Sequence, residues 1–334
     1  MLEPGPLAEQ AYRHPGNGPD KASIPIRIRL HAWVNSMLRH YVSEMFEPTL
    51  LYGLALALLG VSAAVYYGHF APLYAALVIT GSVLAQISAN VISDYFDYTS
   101  GLDKQLAKKK SGRLSGGSSL LASKMIAPGP TLLAGLVTFA AAAAIGIYLL
   151  LSRPQILPIL IVAALSILLY ARYAKRVPYL SEPLCSLNYT LIAFGSFIVI
   201  AGISSLTHAL AFSLIPAGIM LGGNALFVNE VPDRLTDRKF GVRHSAVMLK
   251  TGRGIGLYYI SWQAVAYILL AIGILIGAVP NLAIACFITL PVTFYVFNGL
   301  YNLDSRRYGR YLGMHTLYSF ALAIVLAVAY LSAL

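Results

Sequence analysis

Residues 73–103 read LYAALVITGSVLAQISANVISDYFDYTSGLD, a stretch without a single charge as far as Ser93 and then three aspartates, Asp94, Asp97 and Asp103. An α-helix rises 1.5 Å per residue, so about 20 apolar residues cross the ~30 Å hydrocarbon core of a bilayer. The apolar part is long enough to span a membrane, and its acids fall where the span should end. The same signature recurs along the chain. Nine apolar stretches, roughly 48–67, 73–93, 129–151, 154–172, 184–203, 209–230, 254–279, 281–300 and 313–333, are each bounded by Pro, Gly or a cluster of charges.

Composition agrees. Of 334 residues, 58% are hydrophobic and 11% charged, less than half the charged share of about a quarter in soluble domains, and the mean hydropathy is +0.71. That excludes both a soluble enzyme and a disordered chain. Cys185 and Cys286 lie in apolar stretches and read as small buried hydrophobes, with no disulfide framework or zinc site. The excess of 24 Lys and Arg over 13 Asp and Glu could suggest nucleic acid, so the position of the charges decides. With nine spans and an internal N-terminus, every Lys and Arg except Arg153 falls on one side. This is the positive-inside signature; membrane lipids, and no nucleic acid, account for the basic charge.

The expected fold is therefore all-α and polytopic, with nine transmembrane helices and a cytoplasmic N-terminus. Residues 1–45 read as a cytoplasmic tail, with a short interfacial helix over 33–47, and 46–334 as one transmembrane domain in the plasma membrane. External connections are very short, whereas those after the second and sixth spans are long and acidic. Function is expected there, toward the cytoplasm.

The first acidic window runs from Asn90 through Asp94 and Asp97 to Asp103; the second holds Asn229, Glu230, Asp233 and Asp237. On a helix the offsets place Asn90, Asp94 and Asp97 on one face, and likewise Asn229, Asp233 and Asp237. A lone Asp at a helix end is usually a cap or an ion-pair partner. Two clusters of carboxylates beside hydrocarbon are too costly for that reading, because like charges and burial both oppose ionisation. A divalent cation removes the conflict. Oxygen-only ligands, with no His or Cys expected nearby, suit Mg²⁺ or Mn²⁺, ions that bridge carboxylates to substrate phosphates. Two ions around a diphosphate fit two clusters. Arg243 is placed to bind phosphate oxygens bidentately, and Lys110 and Arg113 lie in a loop rich in Lys, Ser and Gly that suits either a polyanion or anionic lipid.

The two windows resemble the paired Asp-rich motifs of the UbiA superfamily of intramembrane prenyltransferases. The string from Asn90 to Asp103 with Ser115-Gly116-Gly117-Ser118, and the run Asn229-Glu230-Val231-Pro232-Asp233 to Asp237-Arg238 with Gly241-Val242-Arg243, are most similar to its 1,4-dihydroxy-2-naphthoate polyprenyltransferase branch, which serves menaquinone synthesis. The likeness covers roughly residues 45–334. Ser93 stands where members often have Asn, and Val242-Arg243-His244 where they have Lys-Arg-Thr.

The resemblance implies nine helices around a central cavity and transfer of a polyprenyl group from an allylic prenyl diphosphate to an aromatic acceptor. Mg²⁺, two ions, with Mn²⁺ as the alternative, would be held by Asp94, Asp97, Asp233 and Asp237, with Asn90 and Asn229 ligating or orienting. Arg243, with Lys110 or Arg113, would grip the diphosphate. Tyr95, Tyr98, Tyr170 and Tyr173 are the candidates for stabilising a carbocation through their ring faces, and Asp103 is the candidate base. 4-Hydroxybenzoate and a glycerol-phosphate ether lipid remain open as acceptors, and the oligomeric state is open. A cation-coupled transporter would need charges near mid-bilayer and openings on both faces; acids at one end and minimal external loops disfavour it.

Overall fold

The computed structural model describes residues 50–100, 121, 126–174 and 176–333. The expected tail, the interfacial helix over 33–47, Asp103, Lys110 and Arg113 lie outside the described residues. Among those described there is no strand. The helices are α1 (Leu50–Tyr66), α2 (Pro72–Ser100), α3 (Pro128–Ser152), α4 (Leu157–Tyr173), α5 (Ser181–Ala201), α6 (Ala211–Gly218), α7 (Ala225–Glu230), α8 (Arg234–Lys239), α9 (Ser245–Met248), α10 (Gly252–Leu275), α11 (Leu290–Tyr301) and α12 (Tyr308–Ser332).

Among the described residues seven helices are long and apolar enough to cross a membrane, and two shorter apolar helices, Leu50–Tyr66 and Pro154–Tyr170, stand at the first and fourth expected spans. The molecule is an integral membrane protein. Its outer helices show why: α3 and α4 expose Leu133, Val137, Phe139, Leu151, Leu165 and Leu168, a surface that only lipid solvates favourably. Helix α2 continues to Ser100, past the expected end of its span, so its acidic window is helical.

Neighbouring helices close a circuit. α1 packs on α5, α5 on α6, α6 on α10, α10 on α11, α11 on α12, and α12 returns to α1. Inside it lies an apolar core that includes Leu56, Phe197, Met220, Tyr259 and Tyr330. The pair α2–α3 joins this circuit through α1 and α5, and α4 lies against α5.

The sixth span departs most from a uniform helix. Between α6 and α7, residues Ile219–Asn224 form a wholly buried π-helical segment, a wider turn of the kind common at functional sites. Its fit to α5 requires glycine. A Cβ on Gly223 would overlap Ser186 Oγ and stand 2.6 Å from the Glu182 carbonyl oxygen. In its place the Gly223 N–H donates to Ser186 Oγ at 3.2 Å. The carbonyl of Met220 accepts from His315 Nε2 at 3.0 Å. The other ring nitrogen of His315 accepts from the Tyr318 hydroxyl at 3.0 Å. A fully buried network from α10 and α12 thus braces the π segment.

Pro232 ends α7, because it has no N–H to give to the carbonyl four residues back. The chain restarts as α8, which closes in a Schellman turn. Gly241 N donates to Arg238 O at 3.2 Å and Val242 N to Asp237 O at 3.1 Å. Gly241 holds φ +75°, a conformation costly for any residue with a Cβ.

Candidate functional site

The first window is one face of α2. Gln86 Nε2 donates to Asn90 Oδ1 at 3.0 Å, and Asp94 follows one turn later with 8% of its surface exposed. Across the interface, the Tyr189 hydroxyl of α5 donates to Gln86 Oε1 at 3.2 Å. Tyr189 in turn meets the Tyr52 ring of α1 edge-on at 6.1 Å. Asp97 is on the same helix, its side chain outside the described set.

The second window is not one helical face. Asn229 and Glu230 end α7, Asp233 is the N-cap residue of α8, and Asp237 lies within α8. The expected continuous face over Asn229, Asp233 and Asp237 is interrupted by Pro232, whose missing N–H breaks the ladder between them. Asp233 joins the two pieces, its carbonyl accepting from Thr236 N at 2.8 Å and Asp237 N at 2.9 Å. Arg234 Nη1 donates to Val231 O at 2.8 Å across the same break.

The expectation of oxygen groups with no His nearby also needs correction here. His244, 2% exposed, donates from Nε2 to Asp237 Oδ2 at 3.0 Å, and its Nδ1 lies 3.4 Å from Glu230 Oε2. The chain turns back through the Gly241 Schellman turn, which brings residue 244 against α7 and α8. The neighbouring Ser245 donates to Glu182 Oε2 at 2.7 Å, so the second window is anchored to the first turn of α5.

Helix α5 is therefore linked to both windows, through Tyr189 and Gln86 to Asn90 on one side and through Glu182 and the Ser245–His244 pair to Asp237 on the other. Tyr170, one of the aromatic candidates, is half-buried on α4. Among the other aromatic candidates, Tyr95 and Tyr98 are half-buried on α2, with Tyr95 packed edge-on against Phe96 at 5.4 Å. Tyr173 is 43% exposed. Arg243 is exposed beside buried His244.

Sequence reasoning passed over Glu182, Tyr189, Asn224 and His244. Glu182, 1% exposed, has its second oxygen without a hydrogen-bond partner among the described residues, and so do both amide atoms of Asn224, equally buried in the π segment. Buried polar atoms left this way are rare and mark places where water or a ligand completes the bonding. A signal existed for Glu182, an acid beside Pro183 at the start of an apolar run, and for His244, which departs from the usual Thr. None existed for Asn224, whose burial depends on the π turn.

Whether these residues suit a divalent ion can be judged from the donors themselves. Among the described residues no three His, Cys, Asp or Glu side chains gather closely enough to enclose a metal. The hard oxygen donors Asn90 and Asp94 on α2, and Asp233 and Asp237 at α8, have the chemistry that Mg²⁺ prefers. An imidazole N–H directed at one of those carboxylates is the kind of outer contact that orients metal ligands. The donor set fits the ion.

Comparison with known proteins adds three findings. The profile of the UbiA prenyltransferase family matches residues 53–317, a region that includes both acidic windows. No curated protein sequence matches the chain. Solved structures share the fold: an apo UbiA homologue from Aeropyrum pernix K1 has a TM-score of 0.61 at 15% identity, with 84% of this chain and 96% of that chain covered. A UbiA homologue from Archaeoglobus fulgidus, solved with DMAPP and Mg²⁺, has a TM-score of 0.52 at 19% identity, covering 84% and 99%. A digeranylgeranylglyceryl phosphate synthase structure has a TM-score of 0.56 at 14% identity, covering 89% and 99%.

Proposed function

The chain belongs to the UbiA prenyltransferase family, and from that premise we propose that it transfers a polyprenyl group from an allylic prenyl diphosphate to an aromatic acceptor, 1,4-dihydroxy-2-naphthoate. In this reading it has nine spans, counting the two shorter apolar helices, in the plasma membrane, with the N-terminus and both windows toward the cytoplasm. One observation carries the reading: two oxygen-rich windows, both within the family match, lie at the ends of α2 and α7, helices that both pack on the same helix, α5. Two carboxylate groups brought to one helix suit a diphosphate held by both.

Asp94, Asp97, Asp233 and Asp237, with Asn90, are the residues to hold Mg²⁺, which when bound supplies Lewis-acid neutralisation of the leaving diphosphate. The Gln86 N–H fixes the Asn90 amide oxygen, and the Tyr189 hydroxyl fixes Gln86, so this donor is set before substrate arrives. Arg243 contributes a bidentate contact to phosphate oxygens as charge develops on them. Loss of diphosphate leaves an allylic cation that water would quench. A helix bundle excludes water, and we assign the ring faces of Tyr170 and Tyr189 to lower the energy of the cation. The electron-rich acceptor ring then attacks the cation carbon and releases a proton, or carbon dioxide in the case of the naphthoate. Asp103 is the proposed base.

A lipid acceptor is the second reading, favoured by the structural likeness to digeranylgeranylglyceryl phosphate synthase over 89% of this chain. A single experiment separates the two. Purified protein is incubated with Mg²⁺, a labelled prenyl diphosphate, and 1,4-dihydroxy-2-naphthoate, 4-hydroxybenzoate or a glycerol-phosphate ether lipid. Mass analysis of a prenylated naphthoate supports the main reading. A prenylated ether lipid alone moves the assignment to the second, and no product with any acceptor removes both.

A further inference from the structure

We propose that His244 is a positioning residue, which sets the carboxylates of the second window at the distance the reaction needs and is itself held by Ser245 on Glu182. The inference rests on the functional reading above, in which Asp237 holds a divalent ion.

The geometry has three parts. First, Pro232 divides the window, so Glu230 on α7 and Asp237 on α8 are not held in register by a common helix. Left alone, two carboxylates near hydrocarbon repel each other and turn apart. Second, the His244 ring stands between them, Nε2 at 3.0 Å from Asp237 Oδ2 and Nδ1 at 3.4 Å from Glu230 Oε2. At 2% exposure it cannot exchange these contacts for water. Third, the ring is not free to follow the acids. The next residue, Ser245, gives its hydroxyl proton to Glu182 Oε2 at 2.7 Å, and Ser181 gives a second to the same oxygen at 3.0 Å. Glu182 is buried at the start of α5, where Gly223 of the π segment presses on its backbone.

The pair His244-Ser245 thus works as a staple with two prongs. One prong reaches the acids on both sides of the Pro232 break; the other reaches the helix that also carries Tyr189, whose hydroxyl holds Gln86, the partner of Asn90 in the first window. A group that only filled space here would be replaced by any residue of similar size. A positioning group needs an N–H at the place of Nε2.

That difference gives the test. Mn²⁺ binding to the purified protein is followed by electron paramagnetic resonance of the free ion, beside prenyl transfer and the thermal midpoint. His244→Ala is expected to weaken Mn²⁺ binding roughly 10–100-fold, the usual cost of removing an outer partner of a metal ligand, and to lower kcat at saturating prenyl diphosphate. In His244→Gln the amide nitrogen reaches the position of Nε2, and most of the affinity should return. In His244→Asn it reaches only the position of Nδ1, and little should return. Ser245→Ala should fall between wild type and His244→Ala. Wild-type Mn²⁺ affinity and kcat in His244→Ala overturn the proposal. So does equal loss in the Gln and Asn variants, which are also the variants to use if the alanine protein does not fold. If the wild type itself binds no Mn²⁺ and transfers no prenyl group, the functional reading falls and this proposal with it; if the wild type does both and only the His244 contrast is missing, His244 alone is reassigned.

Discussion

Replacing Gly223 by Ala tests how closely the π segment must approach α5. The new Cβ would meet two obstacles, Ser186 Oγ and the Glu182 carbonyl oxygen 2.6 Å away, and the second is backbone that cannot turn aside. Overpacking of this kind costs about 1–3 kcal/mol. Displacement also strains the bond from Gly223 N–H to Ser186 Oγ, a further loss of about 1 kcal/mol if it breaks. Ala is favoured over Gly inside a helix by roughly 0.5–1 kcal/mol, which offsets part of this. The net expectation is a destabilisation of about 1–3 kcal/mol. Activity should suffer more than stability. Any shift that relieves the clash moves Glu182 relative to the second window, and a 1 Å misplacement at a catalytic group costs on the order of 100-fold in rate. Gly146→Ala is the control, since nothing lies within 4 Å of a Cβ there; it should be neutral or slightly stabilising. Unfolding in detergent and turnover of both variants give the comparison. A Gly223→Ala protein as stable and as active as Gly146→Ala would refute the reasoning.

Two other substitutions probe different parts of the account. His315→Phe keeps the bulk of the ring but leaves the Met220 carbonyl without its donor, a loss of about 1–3 kcal/mol that should appear as a lower unfolding midpoint, whereas an unchanged midpoint would mean that the network does not brace the π segment. Arg243→Ala removes an exposed cation and should raise the KM for prenyl diphosphate with a smaller effect on kcat; an unchanged KM would take Arg243 out of the diphosphate site.

Much of this fold was legible because hydrocarbon imposes a simple rule on sequence. Apolar runs bounded by Pro, Gly and charges located the long apolar helices, though not the short polar α8 and α9, and Pro154, Pro280 and the Arg153 connection divided neighbouring spans where the structure divides them. The reading that placed Asn90 and Asp94 on one helical face also held, because nothing in α2 interrupts a 3.6-residue period. The second window was misread as a continuous face although Pro232 was in plain sight; the spacing of Asn229, Asp233 and Asp237 was given more weight than the missing N–H. The π segment was not legible at all. It arises from the fit of Gly222 and Gly223 against Cys185, Ser186 and Glu182, contacts between residues about 40 positions apart, and no local pattern encodes them. Glu182 and His244 were passed over for a related reason. Each gains meaning only from the partner that folding brings to it, Ser245 for the first and Asp237 for the second.

The central claim is that both acidic windows act, through divalent ions, on one prenyl diphosphate. Calorimetric titration of the purified protein with geranyl diphosphate, with and without Mg²⁺, tests it most directly when wild type is compared with Asp94→Asn and Asp233→Asn. The account predicts one molecule bound per chain, only when Mg²⁺ is present, and loss of that binding in either variant although both remain folded. Binding that persists without Mg²⁺, or survives in either variant, would contradict it.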